Sequence, residues 1–387
     1  MHRPPSFPEG QSAEEALERA EERVEERVDP QVTGEAPEGP LPPPAEDEVV
    51  VPFNLGIGPG ASINNSAKGK KVTNYGSLSL GFNRVYRVQG IDLSLGASQI
   101  DAELSGFQAS LGFNKVSGMA RGLQSTFGVN LVDGRLTGVQ GAFGANLVNG
   151  VSRGIQAAFG YNSANELAFG LQAGTVNYAN HLYGAQFGML NLGKRLNGAS
   201  FGLINVVAGE VKGAQFGLIN YADEADASFA LLPITKQGGV HGSVWTSDLA
   251  LLNVGLQLHA RKTYAFFTVG VHPFGWNDAG EGWLYGLGFG GRIPINEDKK
   301  LFLDIDNVVY GVHEGFTTLS TPSLLDSLRF RVTWKPHRYF GVYGGPTLNA
   351  AVDVTGGAQQ LRPGYKWDSF NNEWVTVWPG FVFGIEI

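Results

Sequence analysis

The chain has 387 residues, enough for one large domain or two, and no cysteine, which excludes a disulfide framework and thiol chemistry. The net charge of −8 is unevenly placed: residues 1–48 hold 14 acidic and 4 basic residues, so the remainder carries about +2. A nearly neutral body behind a strongly acidic tail argues against nucleic acid as a partner. No run of about 18 apolar residues occurs, so no transmembrane helix is expected. No signal peptide is visible, because Met1-His2-Arg3-Pro4-Pro5 leads straight into a polar tail.

Residues 1–48 form an acidic arm with nine of the 19 prolines. Ser12 to Val28 can be written as a helix, with Ser12 as N-cap, Glu15 completing a capping box, and Leu17, Val24 and Val28 as a thin apolar stripe. The composition equally describes a solvated, disordered arm. Pro40 to Pro44 reads as a stiff linker.

From Val49 the composition changes. Val49 to Gly58 reads as a first strand, and Ser77 to Asn83 and Gly90 to Gly96 are degenerate copies of a repeat that becomes regular further on. Between Gly106 and Asn220 the units start at Gly106, Gly122, Gly138, Gly154, Gly170, Gly184, Gly198 and Gly213, and end at Asn114, Asn130, Asn146, Asn162, Asn177, Asn191, Asn205 and Asn220. The spacing is 16 residues at first and 14 or 15 later, giving about ten units from near Asn74. Within one unit the alternation has period two, the mark of a strand. Ile155, Ala157, Phe159 and Tyr161 lie on one face, and Gly154, Gln156, Ala158, Gly160 and Asn162 on the other. Asp133-Gly134 and Asn149-Gly150 read as hairpin-type turns. The few charged residues of this region fall nearly all between units.

After Asn220 the spacing fails, but strands continue: Ala227–Ile234, Val240–Thr246, Leu249–His259, Thr263–His272, Leu301–Asp306, Ser327–Lys335, Tyr339–Asn349 and Trp378–Ile387. In the Ser327–Lys335 segment Leu328, Phe330, Val332 and Trp334 share one face, and Arg329, Arg331 and Lys335 the other. Longer loops are expected from Asn307 to Asp326 and from Thr355 to Glu373.

A strand with one apolar and one polar face either packs its apolar face on a core or turns it to lipid, with the polar face lining a closed barrel. The first reading is an all-β chain forming a large antiparallel outer-membrane-type β-barrel of roughly 18 to 20 strands, with the repeats and the C-terminal strands in one wall. The alternative is a parallel β-solenoid followed by a β-barrel or sandwich, with Gln and Asn stacked into ladders. An even period of 16 keeps the face parity and fits the solenoid directly, whereas a meander needs an odd residue at each turn. Against the solenoid, a soluble one carries charge on its outer face, and these units offer none. The expected organisation is residues 1–48 as the arm, 49–225 as the repeat region and 226–387 as the C-terminal strands.

The Gly-x-Gln…Gly-x-Asn units, clearest at Gly202-Leu203-Ile204-Asn205 and Gly217-Leu218-Ile219-Asn220, are joined by Gly344-Gly345-Pro346-Thr347-Leu348-Asn349 and Trp378-Pro379-Gly380-Phe381. Over roughly residues 50 to 387 this pattern resembles bacterial "surface repeat" proteins. The resemblance implies a Gram-negative cell-envelope protein located in the outer membrane, and no activity. The ending Ile385-Glu386-Ile387 departs from the terminal aromatic residue usual in outer-membrane barrels.

His2, His181, His241, His259, His272, His313 and His337 show no metal-ligand spacing. Asp304 and Asp306 share a strand face with side chains about 7 Å apart; they could bind a cation or act as acid and base, or be ordinary lumen-facing residues of a barrel wall. Arg329 and Arg331 could face them, setting an anion preference or forming a charge ladder. Gly286-Leu287-Gly288-Phe289-Gly290-Gly291 lies in a strand pattern, not before a helix, so it is no phosphate loop. The sequence therefore assigns no catalytic, cofactor-binding or metal-ligating residue and no cofactor. It predicts a non-enzymatic outer-membrane barrel or surface protein with a structural or passive transport role. Its expected partner is outer-membrane lipid, with any protein or glycan partner unidentified. The alternative is a surface-exposed solenoid acting as a binding or adhesion module.

Overall fold

The computed structural model describes residues 47–58, 61–67, 69–272, 282–314, 323–337, 340–352 and 375–387. The helix expected from Ser12 to Val28 and the loop expected from Thr355 to Glu373 lie outside the described residues. The described chain is almost entirely β, and its repeats and C-terminal strands take two different architectures.

The repeats do not meander. Successive units stack in parallel, each on the one before. Gly138 sits between Gly122 and Gly154, and Gln140 between Gln124 and Gln156. Likewise Asn146 sits between Asn130 and Asn162. This is the β-solenoid, so the large single barrel is overturned. The physical reason lies in the first glycine of each unit. Gly90, Gly106, Gly122, Gly138, Gly154, Gly170, Gly184, Gly198 and Gly213 all have φ between 118° and 153°. L-residues rarely adopt that backbone, and each of these glycines sits inside a strand, pressed against the coil before it. A side chain there would also run into a carbonyl one coil earlier, that of Tyr75 for Gly90 and of the preceding glycine for all the others. Asp133-Gly134 and Asn149-Gly150 are corners between stacked strands rather than hairpin turns; Gly134 is needed because it lies against the Gly118 carbonyl. Register shifts at Ala164/Leu167 and Gly193/Leu196 absorb local irregularities in the stacking. Coil winding continues past Asn220, to Thr235.

The alternation read from the sequence holds, but the polar face is the inner one. Gln156, Ala158 and Asn162 are buried, while Ile155, Ala157 and Phe159 are exposed. Beside the amides, most coils add two apolar side chains to the interior, such as Val132 with Leu136.

The C-terminal region closes into a separate barrel of eight antiparallel strands: β1 (Val240–Ser247), β2 (Leu252–His259), β3 (Thr263–His272), β4 (Gly282–Pro294), β5 (Leu301–Glu314), β6 (Ser323–His337), β7 (Phe340–Val352) and β8 (Val375–Glu386). β8 pairs with β1, so no edge is left open. Much of the stretch expected as a loop from Asn307 to Asp326 is strand, because β5 runs on to Glu314 and β6 begins at Ser323. The glycines of β4 make room for rings: Gly288 lies against Phe266 and Gly290 against Tyr264 of the neighbouring strand.

The last coil joins the barrel at the β2–β3 turn. The Arg261 and Lys262 amides donate to the Ala225 and Asp226 carbonyls, and the Arg261 guanidinium pairs with Glu224 and Asp226. On β3, Tyr264 points inward to Asp306, so Thr263 and Ala265 point outward. Both are nevertheless buried, at the start of the strand that contacts the last coil.

Candidate functional site

Each architecture encloses a polar system. In the solenoid it is made of amides. The glutamine row is a chain of hydrogen bonds in which each side-chain amide donates to the coil before it: Gln186 to Gln172, Gln172 to Gln156, Gln156 to Gln140, Gln140 to Gln124 and Gln124 to Gln108, at 2.8–3.0 Å. The chain reaches Asp92, an all-acceptor group that also takes hydrogen bonds from Ser98 and Asn83. The asparagine row runs the opposite way, from Asn114 to Asn220 at 2.8–2.9 Å, and ends on Ser228. Antiparallel rows let the amide dipoles offset one another across the interior. Two features mark the ends. Burial pushes the Asp92 carboxyl up from its ordinary pKa, with its hydrogen bonds opposing the shift. Ser200 stands where the row calls for glutamine, and Gln215 beyond it has neither side-chain atom partnered.

In the barrel the enclosed system is ionic. Asp304 faces Arg331 and Asp306 faces Arg329 across β5 and β6, the charge ladder that the sequence allowed. Arg331 Nη2 lies 2.8 Å from Asp306 and donates to the Tyr264 hydroxyl at 2.7 Å; that hydroxyl donates to Asp306 at 2.7 Å. Arg329 binds Asp306 as well. Arg292 bridges Asp304 at 2.8 Å and Glu386 at 2.7 Å, and Lys335 reaches Glu386 at 2.6 Å. Glu386, from the ending that departs from the usual aromatic terminus, thus fastens β8 to β4 and β6. Above this layer the interior is filled by an apolar cluster that includes Leu284, Val308, Tyr310, Leu325 and Trp378.

No protein-family model, curated protein or solved structure matches the chain. The geometry therefore carries the functional argument alone. Asp304 and Asp306 are each held by guanidinium groups at zero and two per cent exposure, which ties β5 to β4 and β6. Among the described residues, no group of three or more His, Cys, Asp or Glu side chains could hold a metal ion. His241 and His259 meet edge-on at 4.7 Å. They line a cavity of about 440 Å³ at the short-turn end of the barrel, together with Arg292, Lys299, Lys300 and Lys335. Sequence reasoning missed both the cavity and the Arg292–Glu386 bridge, whose partners lie 94 residues apart.

The outer surface of the barrel is largely apolar. Around the barrel, Val254, Leu256, Phe267, Val269, Phe330 and Val332 are among the exposed side chains. On β6 the outward series from Leu324 to Trp334 is broken at Asp326, which receives two hydrogen bonds from the Asn307 amide. No helix among the described residues is long and apolar enough to cross a membrane, which says nothing of a barrel.

Proposed function

We propose that the chain is a non-enzymatic outer-membrane anchor carrying a β-solenoid, in a Gram-negative envelope as the surface-repeat resemblance implies. One observation carries the reading: the eight-stranded wall is apolar outside and ion-paired inside. In water that distribution is inverted; in lipid it is the stable one. Six of the eight strands, at 10 to 15 residues, have the length a tilted span needs, and β1 and β2 have eight. Leu324 to Trp334 spans about 25 Å of bilayer normal at the usual strand tilt, the height of an outer-membrane apolar band.

The filled interior favours anchoring over passive transport. Arg331, Arg292 and their carboxylates close the lumen at one level, and Tyr310, Leu284 and Trp378 fill the next. In barrels of this kind short turns face the periplasm and long connections face outward. The solenoid joins at the β2–β3 turn, which is short, while the connection after β7 is long. In this reading the solenoid lies on the periplasmic side and has no surface-adhesion role.

The test is extraction of isolated membranes with urea or carbonate and then with detergent, followed by planar-bilayer recording. The reading expects release by detergent alone, a heat-dependent change in gel mobility, and no discrete conductance steps. Release without detergent would overturn the membrane reading; stepwise conductance would overturn the closed lumen.

A further inference from the structure

The solenoid leaves one feature unaccounted for. In all eight units from Gly106 to Asn220, the half-coil from the glycine to the asparagine contains no charged residue. Every charge lies on the other half, in pairs such as Lys115 with Asp133 and Lys212 with Glu210. The uncharged half is not covered. Phe127, Phe143 and Phe159 stack face to face at 4.7 and 5.1 Å, and Phe127 and Phe159 are 65% and 70% exposed. Phe187, Phe201, Phe216 and Phe229 form a second ladder at 4.8 to 5.0 Å. Eight coils at about 4.8 Å each make a face about 40 Å long. Several side chains wide over that length, it exceeds the few hundred Å² of contiguous apolar surface usual on a monomer.

We infer that this face lies on the periplasmic leaflet of the same membrane that holds the barrel, so that the solenoid is a peripheral membrane element along its whole length. The inference rests on the anchor reading above. The second aromatic ladder ends at Phe229, next to Ser228, whose amide and carbonyl both bond the Thr263 hydroxyl at the start of β3. The next uncovered outward side chains on β3 are Phe267 and Val269 of the barrel belt. The apolar half of the solenoid is thus joined at its end to the wall that faces lipid. A lipid surface also fits the chemistry: it needs no matching charges, and acyl chains suit the apolar groove of about 540 Å³ lined by Leu93, Leu95, Phe127 and Phe143. The charged half, turned away, plays the part of the polar face of an amphipathic interfacial helix.

The absence of cysteine permits single-cysteine labelling of the full chain with an environment-sensitive nitrobenzoxadiazole dye. The sites are Phe143→Cys and Leu203→Cys on the uncharged half, Glu166→Cys on the charged half and Phe330→Cys on the barrel belt. The proteins are reconstituted in phosphatidylethanolamine–phosphatidylglycerol vesicles with or without doxyl-labelled lipid. The expected result is blue-shifted emission, quenched by doxyl lipid, at Phe143, Leu203 and Phe330, with water-like emission at Glu166. Quenching at Phe330 with water-like emission at both Phe143 and Leu203 overturns the inference and leaves the anchor standing. Blue-shifted emission at Phe143 and Leu203 that doxyl lipid does not quench also overturns it, because protein then covers the face. No quenching at Phe330 removes the anchor reading and this inference with it. All four labels replace exposed side chains, and the heat-dependent gel shift confirms that each variant is folded.

Discussion

The solenoid and the barrel use the same strand pattern, polar in and apolar out, but fill their interiors with opposite chemistry. The solenoid encloses neutral amides that bond to copies of themselves one coil away. The barrel encloses guanidinium groups and carboxylates that bond across neighbouring strands. Stacking geometry explains the difference. A parallel solenoid places each side chain directly over its equivalent at about 4.8 Å, where like charges would repel, whereas an amide offers a donor on one side and an acceptor on the other. Antiparallel pairing in the barrel sets unlike positions opposite one another, so Asp304 can meet Arg331.

The comparison breaks most severely in the barrel. Arg331→Ala leaves Asp306 short of one guanidinium in a closed interior, and a loss of about 3–5 kcal/mol is expected for removing one partner of a buried pair. The temperature at which the unboiled gel mobility is lost should fall sharply. Next comes the solenoid backbone. Gly154→Ala places a methyl group against the Gly138 carbonyl at a φ of 129° and should cost about 2–3 kcal/mol. Gly141→Ala, with open space around it and an ordinary φ, should leave the midpoint of urea unfolding nearly unchanged. Ser200→Gln sharpens the contrast in the other direction. It supplies the missing rung between Gln186 and Gln215 and should raise that midpoint by an amount worth about 1 kcal/mol. The smallest effect concerns pH. Because the folded state raises the Asp92 pKa, its ionised form costs stability at neutral pH. That cost is relieved as pH falls through the raised value towards the ordinary carboxylate range. Hydrogen-exchange protection of residues 90–110, taken relative to residues 138–170, should therefore increase on mild acidification. Asp92→Asn should remove that slope.

Much of this was legible residue by residue. The Gly-x-Gln and Gly-x-Asn spacing announces a repeat of strands, and Arg329 and Arg331 opposite Asp304 and Asp306 are recoverable from two alternating strands. Ser200 breaking the glutamine row is also visible in the sequence. The Arg292–Glu386 bridge and the cavity at the short-turn end are not, because strand closure alone brings β4 to β8.

The sequence by itself determined the repeat, the strand faces and the uncharged half-coil, since these depend only on local spacing and side-chain type. Only the tertiary structure decided that the repeats coil rather than meander, that the barrel has eight strands, and that the amide face is the inner one. Alternation defines two faces of a strand without saying which closes inward. That choice belongs to the register between strands, and here the positive-φ glycines permit it by letting each unit lie against the backbone of its predecessor.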